Sequence, residues 1–216
     1  MGINIKLNGI RHKNLETLKN SVDPDISSFL QEWYDSHDHV IGHTSGSTGI
    51  PKEIRLLKKD MIASARLTNE FFNIRPSSNL LLCLSPKYIA GKMMIVRTIL
   101  SGANLITVKP SSSPLQNITE DIDFAALVPM QVATSLSSPD TATKLARVKQ
   151  IIIGGAAVSP TLEQQLQQIP TACYGTYGMT ETVSHIALRQ INGEGNSPYY
   201  FALAKVTFEK DARECL

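Results

Sequence analysis

Cysteine is scarce. The 216 residues contain three, Cys83, Cys173 and Cys215, widely separated and without CxxC spacing. An odd number so placed supports neither a zinc site nor a disulfide framework. Cys83 and Cys173 fall in apolar runs and are expected as small core side chains in a reducing compartment. Long apolar runs are missing too: no stretch approaches the roughly 20 residues that span a bilayer. The opening MGINIK has neither a signal-peptide apolar region nor the Ser or Thr of a myristoylation signal. A cytoplasmic protein is expected, so the Asn117-Ile118-Thr119 triplet would not meet glycosylation machinery. Nor is one sign of charge in excess. Lys plus Arg number 21 against 19 for Asp plus Glu, a net charge of +2. No field of that size gathers nucleic acid or an anionic membrane, so recognition has to be local. No internal repeat is present.

What remains is an ordinary globular composition, 42% hydrophobic and 19% charged. Within residues 1–39, a polar start leads into PDISSFLQEWYDS, where Phe29, Leu30, Trp33 and Tyr34 recur at helical spacing behind Asp25 or Ser27 as a cap. Another helix is expected at 59–72, with Asp60 able to begin it. Short apolar runs at 80–85, 103–108, 125–128 and 150–153 read as buried strands, and 90–101, 129–137 and 160–168 as helices, the last opened by Ser159-Pro160. The end, 199–216, reads as a strand through Val206 and Phe208 running into a turn. Strand and helix alternation predicts an α/β fold whose mainly parallel sheet binds ligands beyond the carboxyl ends of its strands.

Val40-Ile41-Gly42-His43 reads as the end of a strand, and His43–Lys52, HTSGSTGIPK, follows directly. Gly46 and Gly49 let backbone N–H groups turn toward an anion; Thr44, Ser45, Ser47 and Thr48 add hydroxyls, and Lys52 adds a positive charge. The same composition serves flexible surface linkers. The spacing is not that of a Walker A loop, since the second glycine follows three residues after the first and a proline separates it from the lysine. No GxGxxG of the dinucleotide-binding type occurs either. Further on, the bare backbone of Gly154-Gly155 after the strand at 150–153 permits a flat base to approach. YGTYGMTE at 174–181 offers the aromatic face of Tyr177, the hydroxyl of Thr180 and the carboxylate of Glu181. A carboxylate suits Mg²⁺, which takes one or two from a protein and fills its remaining positions with phosphate oxygens and water.

TSGSTGIPK closely resembles the phosphate-loop signature of the adenylate-forming superfamily: acyl- and aryl-CoA synthetases, luciferases and the adenylation domains of peptide synthetases. Tyr177-Gly178-Met179-Thr180-Glu181 resembles its adenine and magnesium motif, and Gly154-Gly155-Ala156 its adenine-pocket segment, in the superfamily's order. The resemblance runs from about Val40 to Arg189 and beyond. It implies ATP, Mg²⁺ and CoA as cofactors and co-substrate. It implies ATP binding by Thr44, Ser45, Gly46, Ser47, Thr48, Gly49, Lys52, Gly154, Gly155, Ala156, Tyr177, Gly178 and Thr180. Lys52, Thr180 and Glu181 would be catalytic, with Glu181 on the metal. TETVSHIALR, SPKYIAGKMMIVR and IIIGGAAVS are most similar to the o-succinylbenzoate-CoA ligases of menaquinone synthesis. The second carboxylate of that substrate would need a cation from among Lys87, Lys92, Arg97, His185 and Arg189. Lys92 and Arg97 are favoured, although a helix at 90–101 can equally turn both to solvent. Tyr88, Thr182 and Ser184 would line the acyl pocket.

The implied reaction joins a carboxylate to ATP as an acyl-adenylate, which a thiol then takes. No TGD motif follows Glu181, and neither a hinge nor a small lysine-bearing domain comes before Leu216. The expectation is therefore a partial N-terminal domain of the adenylate-forming fold with the C-terminal domain absent. In it, 1–39 would be a docking segment and 40–216 an ATP-binding core incomplete at its C-terminus, with negligible adenylation turnover alone. A ligase for another carboxylic acid and a noncatalytic nucleotide-binding module remain alternatives, and homo-oligomerisation stays open.

Overall fold

A computed structural model describes residues 2–19, 22–43, 52–210 and 212. The chain opens with an antiparallel hairpin, β1 (Gly2–Leu7) and β2 (Ile10–Asn14), turned by Asn8 and Gly9 at φ 47° and 83°. Two central residues at positive φ are what a tight hairpin requires, and Asn-Gly supplies them at little cost. Then come α1 (Leu15–Lys19), α2 (Pro24–Tyr34) and a second hairpin, β3 (His39–His43) with β4 (Glu53–Leu57). Strand and helix units follow: α3 (Lys58–Phe71), β5 (Asn79–Leu82), α4 (Ile89–Ser101), β6 (Asn104–Thr107), β7 (Phe124–Leu127), α5 (Pro129–Leu136), α6 (Pro139–Arg147), β8 (Gln150–Ile153) and α7 (Pro160–Leu166). The last elements are β9 (Ala172–Met179), β10 (Ser184–Gln190) and β11 (Phe201–Ala202).

Nine strands form one sheet in the order β11-β10-β9-β8-β7-β5-β6-β1-β2, parallel from β9 to β1 and antiparallel at both margins. β3 and β4 pair only with each other. The central strands are continuous apolar runs because both faces of the sheet are covered. Successive residues point to opposite sides. Leu80, Leu82, Phe124, Ala126 and Ile152 join the core beneath α2, α3 and α4. Leu81, Ala125, Leu127, Ile151 and Ile153 join the core with Val132, Leu145 and Leu162 of α5, α6 and α7. Each large apolar side chain so buried contributes about 1.5–3 kcal/mol.

Four local expectations change. α2 is capped by Asp23, whose side chain accepts the Asp25 N–H at 2.9 Å, rather than by Asp25 or Ser27. Pro24 occupies the first turn with its φ already helical, so the residue before it becomes the cap. α3 starts at Lys58 and has no side-chain cap; Asp60 lies within its first turn. Residues 203–210 form no regular element; the strand there is Phe201–Ala202 alone. β1, β2, α1, β4, α6, β9 and β10 were not foreseen. Among the described residues no helix is long and apolar enough to cross a membrane.

Candidate functional site

Because β5, β7, β8 and β9 run parallel, the segments that follow them leave from one edge of the sheet. Close packing at this edge admits only glycine at two positions. A Cβ on Gly154 would lie 2.3 Å from Thr176 Oγ1, and one on Gly178 would lie 2.2 Å from the Ser184 carbonyl oxygen. Gly155 follows at φ 80° and Ala156 is exposed, so β8 ends in open backbone. Tyr177, 45% exposed at the end of β9, is flanked by Tyr200 and Phe208 with ring centroids 6.0 and 6.4 Å away.

The β3–β4 hairpin reaches this same edge. His43 and Glu53 are register partners at its open end, and Lys52 is exposed just before β4. Thr44, Ser45, Gly46, Ser47, Thr48 and Gly49 lie outside the described residues. The strand leading into them packs closely at Gly42, where an added Cβ would stand 2.7 Å from Leu56 Cδ1 and 3.3 Å from Thr180 Cγ2. The strand feeding the candidate phosphate loop thus abuts the Tyr177–Glu181 motif. Thr180 is half-buried there, and Glu181 is exposed.

The turn after Glu181 is held tightly. Thr182 Oγ1 accepts the Met179 N–H at 2.9 Å and lies 2.8 Å from the Ser184 carbonyl oxygen. Val183 between them has φ 68°, a strained value for a β-branched residue. The result aims Ser184 inward, where its Oγ accepts from Arg97 Nη2 at 3.1 Å. Arg97 is 1% exposed; among the described residues its guanidinium also meets Met94 Sδ through Nη1 at 3.5 Å, and its Nε has no partner. Burial lowers its pKa to about 9. His185 sits next to it, its Nε2 3.3 Å from Thr68 Oγ1. Burial, with the Arg97 charge second, pushes the imidazole down to about 3, so His185 is neutral and no candidate cation.

Neither Lys92 nor Arg97 turns to solvent. Lys92 Nζ pairs with Glu32 Oε2 at 3.2 Å and lies 4.7 Å from the centroid of the Phe29 ring. Lys87 pairs with Asp25 at 3.3 Å, and Arg189 is held by Glu163. Tyr88 is exposed where α4 begins. Of these partners, Glu32, Asp25, Glu163 and Thr68 were invisible in the sequence, since pairing across elements leaves no local spacing.

The model of a family described as AMP-binding enzyme matches residues 7–202. The chain belongs to that family. Members include the 2-succinylbenzoate–CoA ligase of Salmonella typhimurium, 29% identical over 150 residues, which cover 69% of this chain and 32% of that protein. The corresponding ligase of Escherichia coli is 28% identical over the same coverage. The chain thus spans about a third of the length of these curated relatives. Among solved structures, an acyl-CoA synthetase (AMP-forming)/AMP-acid ligase II-like protein from Dyadobacter fermentans superposes with a TM-score of 0.84 at 34% identity, covering 93% of this chain and 59% of that one. The o-succinylbenzoate coenzyme A synthetase of Bacillus subtilis, in complex with ATP and magnesium ion, has the same fold at 21% identity and a TM-score of 0.65, covering 82% of this chain and 38% of that one.

Proposed function

We propose that this chain is the nucleotide- and acyl-binding core of an ATP-dependent carboxylate–CoA ligase, with a dicarboxylate of the o-succinylbenzoate type as substrate. The observation that carries this reading is the close approach of β3 to Thr180, where a Cβ added at Gly42 would stand 3.3 Å from the Thr180 methyl group. It supports placing the strand that enters the Ser/Thr/Gly segment beside the segment that carries Thr180 and Glu181. In this reading a carboxylate oxygen attacks the α-phosphorus of ATP, an O–P bond forms, and the bond to pyrophosphate breaks. The thiol of CoA then attacks the acyl carbon and AMP leaves. Two anions must meet, so the chain's task is to place donors where charge builds. In the same reading Lys52 and the N–H and hydroxyl groups of residues 44–49 would serve the phosphates, Thr180 the α-phosphate, and Tyr177 the adenine, beside the open backbone of Gly154 and Gly155.

The donor set fits magnesium. Among the described residues no three His, Cys, Asp or Glu side chains gather as a cage, and Glu181 stands exposed at the edge. A single carboxylate completed by phosphate oxygens and water is how this ion is usually held. Bound there, it would neutralise phosphate charge.

For the acyl group, Arg97 supports a second carboxylate. It is a buried guanidinium whose described partners are a hydroxyl and a thioether, and a carboxylate arriving beside Ser184 would meet it. Both named ligase relatives act on 2-succinylbenzoate. Isothermal titration with AMP plus Mg²⁺ and with a nonhydrolysable o-succinylbenzoyl-adenylate analogue tests the reading. The analogue is expected to bind at least ~100-fold more tightly than AMP, because it spans both subsites. Absence of nucleotide binding would overturn the proposal, and equal affinity would favour a noncatalytic nucleotide module.

A further inference from the structure

Glu32 makes two contacts that the ligase chemistry does not itself require. One carboxylate oxygen accepts the Ile41 N–H at 2.5 Å, and the other accepts from Lys92 Nζ at 3.2 Å. The first contact matters because β3 pairs only with β4. Its outer edge carries backbone donors with no neighbouring strand to receive them, and Glu32 receives the one at Ile41. The second matters because Lys92 is buried, so its charge needs a partner on the spot. A single side chain therefore joins three elements. α2 carries it. α4 carries Lys92 and, five residues on, Arg97. β3 runs from Ile41 to His43 and into the 44–51 loop.

Two further polar attachments of this hairpin lie at its opposite end. Lys58 Nζ pairs with Asp35 at 2.8 Å, and the Lys58 N–H bonds the Asp38 carbonyl at 2.8 Å, both beside the His39–Leu57 register pair. Val40 and Leu56 add apolar anchorage. With the base fixed in this way, the Ile41 bond is a polar restraint on the loop side.

We propose that Glu32 is a positioning residue that latches the β3–β4 hairpin to α2 and α4 and so couples nucleotide binding at the loop to acyl binding beside Arg97. The latch stands on the contacts alone; the coupling rests on the ligase reading above. A load on β3 from phosphate bound beyond His43 would reach the Glu32 carboxylate through Ile41, and from there Lys92 and the helix that presents Arg97. Ligands at the two ends then favour the same arrangement.

The test uses the whole chain and the variants Glu32→Ala, Glu32→Gln and Lys92→Met. In the free protein, Glu32→Ala is expected to speed hydrogen exchange at the Ile41 amide about tenfold while amides of Met61–Ala65 in α3 stay as they were. Glu32→Gln keeps an acceptor for that amide and is expected to restore most of the protection. The coupling is measured as the AMP dissociation constant with and without saturating o-succinylbenzoate. The parent ratio is expected to differ from one by about fivefold. Lys92→Met, which removes no contact of the hairpin, is expected to bring it to one. Unchanged Ile41 exchange in Glu32→Ala overturns the latch. A parental ratio in Lys92→Met overturns the coupling, as does affinity that merely follows Tm across the three variants. A parent chain that binds no AMP defeats the ligase reading and the coupling with it, and the exchange result still decides the latch.

Discussion

A guanidinium sealed from water beside one serine hydroxyl and one thioether is costly to keep, and Arg97 is in that position. Filling its space with an apolar side chain is expected to help folding while removing the receptor proposed for the distal carboxylate. Arg97→Met should raise stability by about 1–4 kcal/mol. In the same variant the affinity for the acyl-adenylate analogue should fall and that for AMP should stay. Urea unfolding and calorimetry on one preparation check both, and a destabilised variant with parental analogue affinity would contradict the assignment. His185 makes a second prediction at this scale. Its folded pKa of about 3 lies below the ordinary value of 6.5. Between those values the unfolded chain holds the extra proton, so the contribution is complete above pH 6.5 and is lost as pH falls toward 3. Stability should drop by about 1 kcal/mol per pH unit between pH 6 and 5, and His185→Asn should flatten that slope.

Among the elements, β9 and β10 form the pair on which the site's edge depends. Their backbones approach so closely that a methyl group at residue 178 would enter the Ser184 carbonyl, and His185 Cα lies 2.6 Å from the same point. Backbone cannot yield as a flexible side chain does. Gly178→Ala is expected to cost at least ~1–3 kcal/mol and to displace the Thr182–Ser184 turn. The check is a lower urea midpoint together with loss of nucleotide affinity. Parental values for both would show that the two strands can separate there at little cost. These strands also mark a limit of legibility. The motif Tyr177–Glu181 was recognisable, yet nothing in its residue types showed that it lies partly within a strand, whose Gly-rich, aromatic run has neither helical nor alternating period. The Asn8-Gly9 hairpin is the opposite case: the turn signal and the alternation of Ile3, Ile5 and Leu7 were present in the sequence, but the exposed, polar β2 hid the pair.

For the molecule as a whole, the sheet with two covered faces makes the thiols a gauge of global opening. Cys83 and Cys173 lie in the core on the α5–α7 side, and burial pushes each thiol up to about 12. With Cys215 replaced by Ser, modification of these two by a disulfide reagent at neutral pH should proceed no faster than unfolding. Faster labelling would show that this layer opens locally.

At this scale the division between sequence and structure follows from range. Apolar runs at 80–85, 103–108, 125–128 and 150–153, alternating with helical stretches, set a mainly parallel sheet, since such runs are stable where both faces of a sheet are covered. Glycine spacing, hydroxyls and Lys52 carry the phosphate chemistry proposed for 43–52, because such groups act through their own backbone and local charge. Which cations remain available to a substrate was decided only by the fold. Lys92 met Glu32 and Arg97 met Ser184, partners 60 and 87 residues away in the chain. Desolvation and pairing across such distances depend on what packs alongside, and packing is a property of the folded chain.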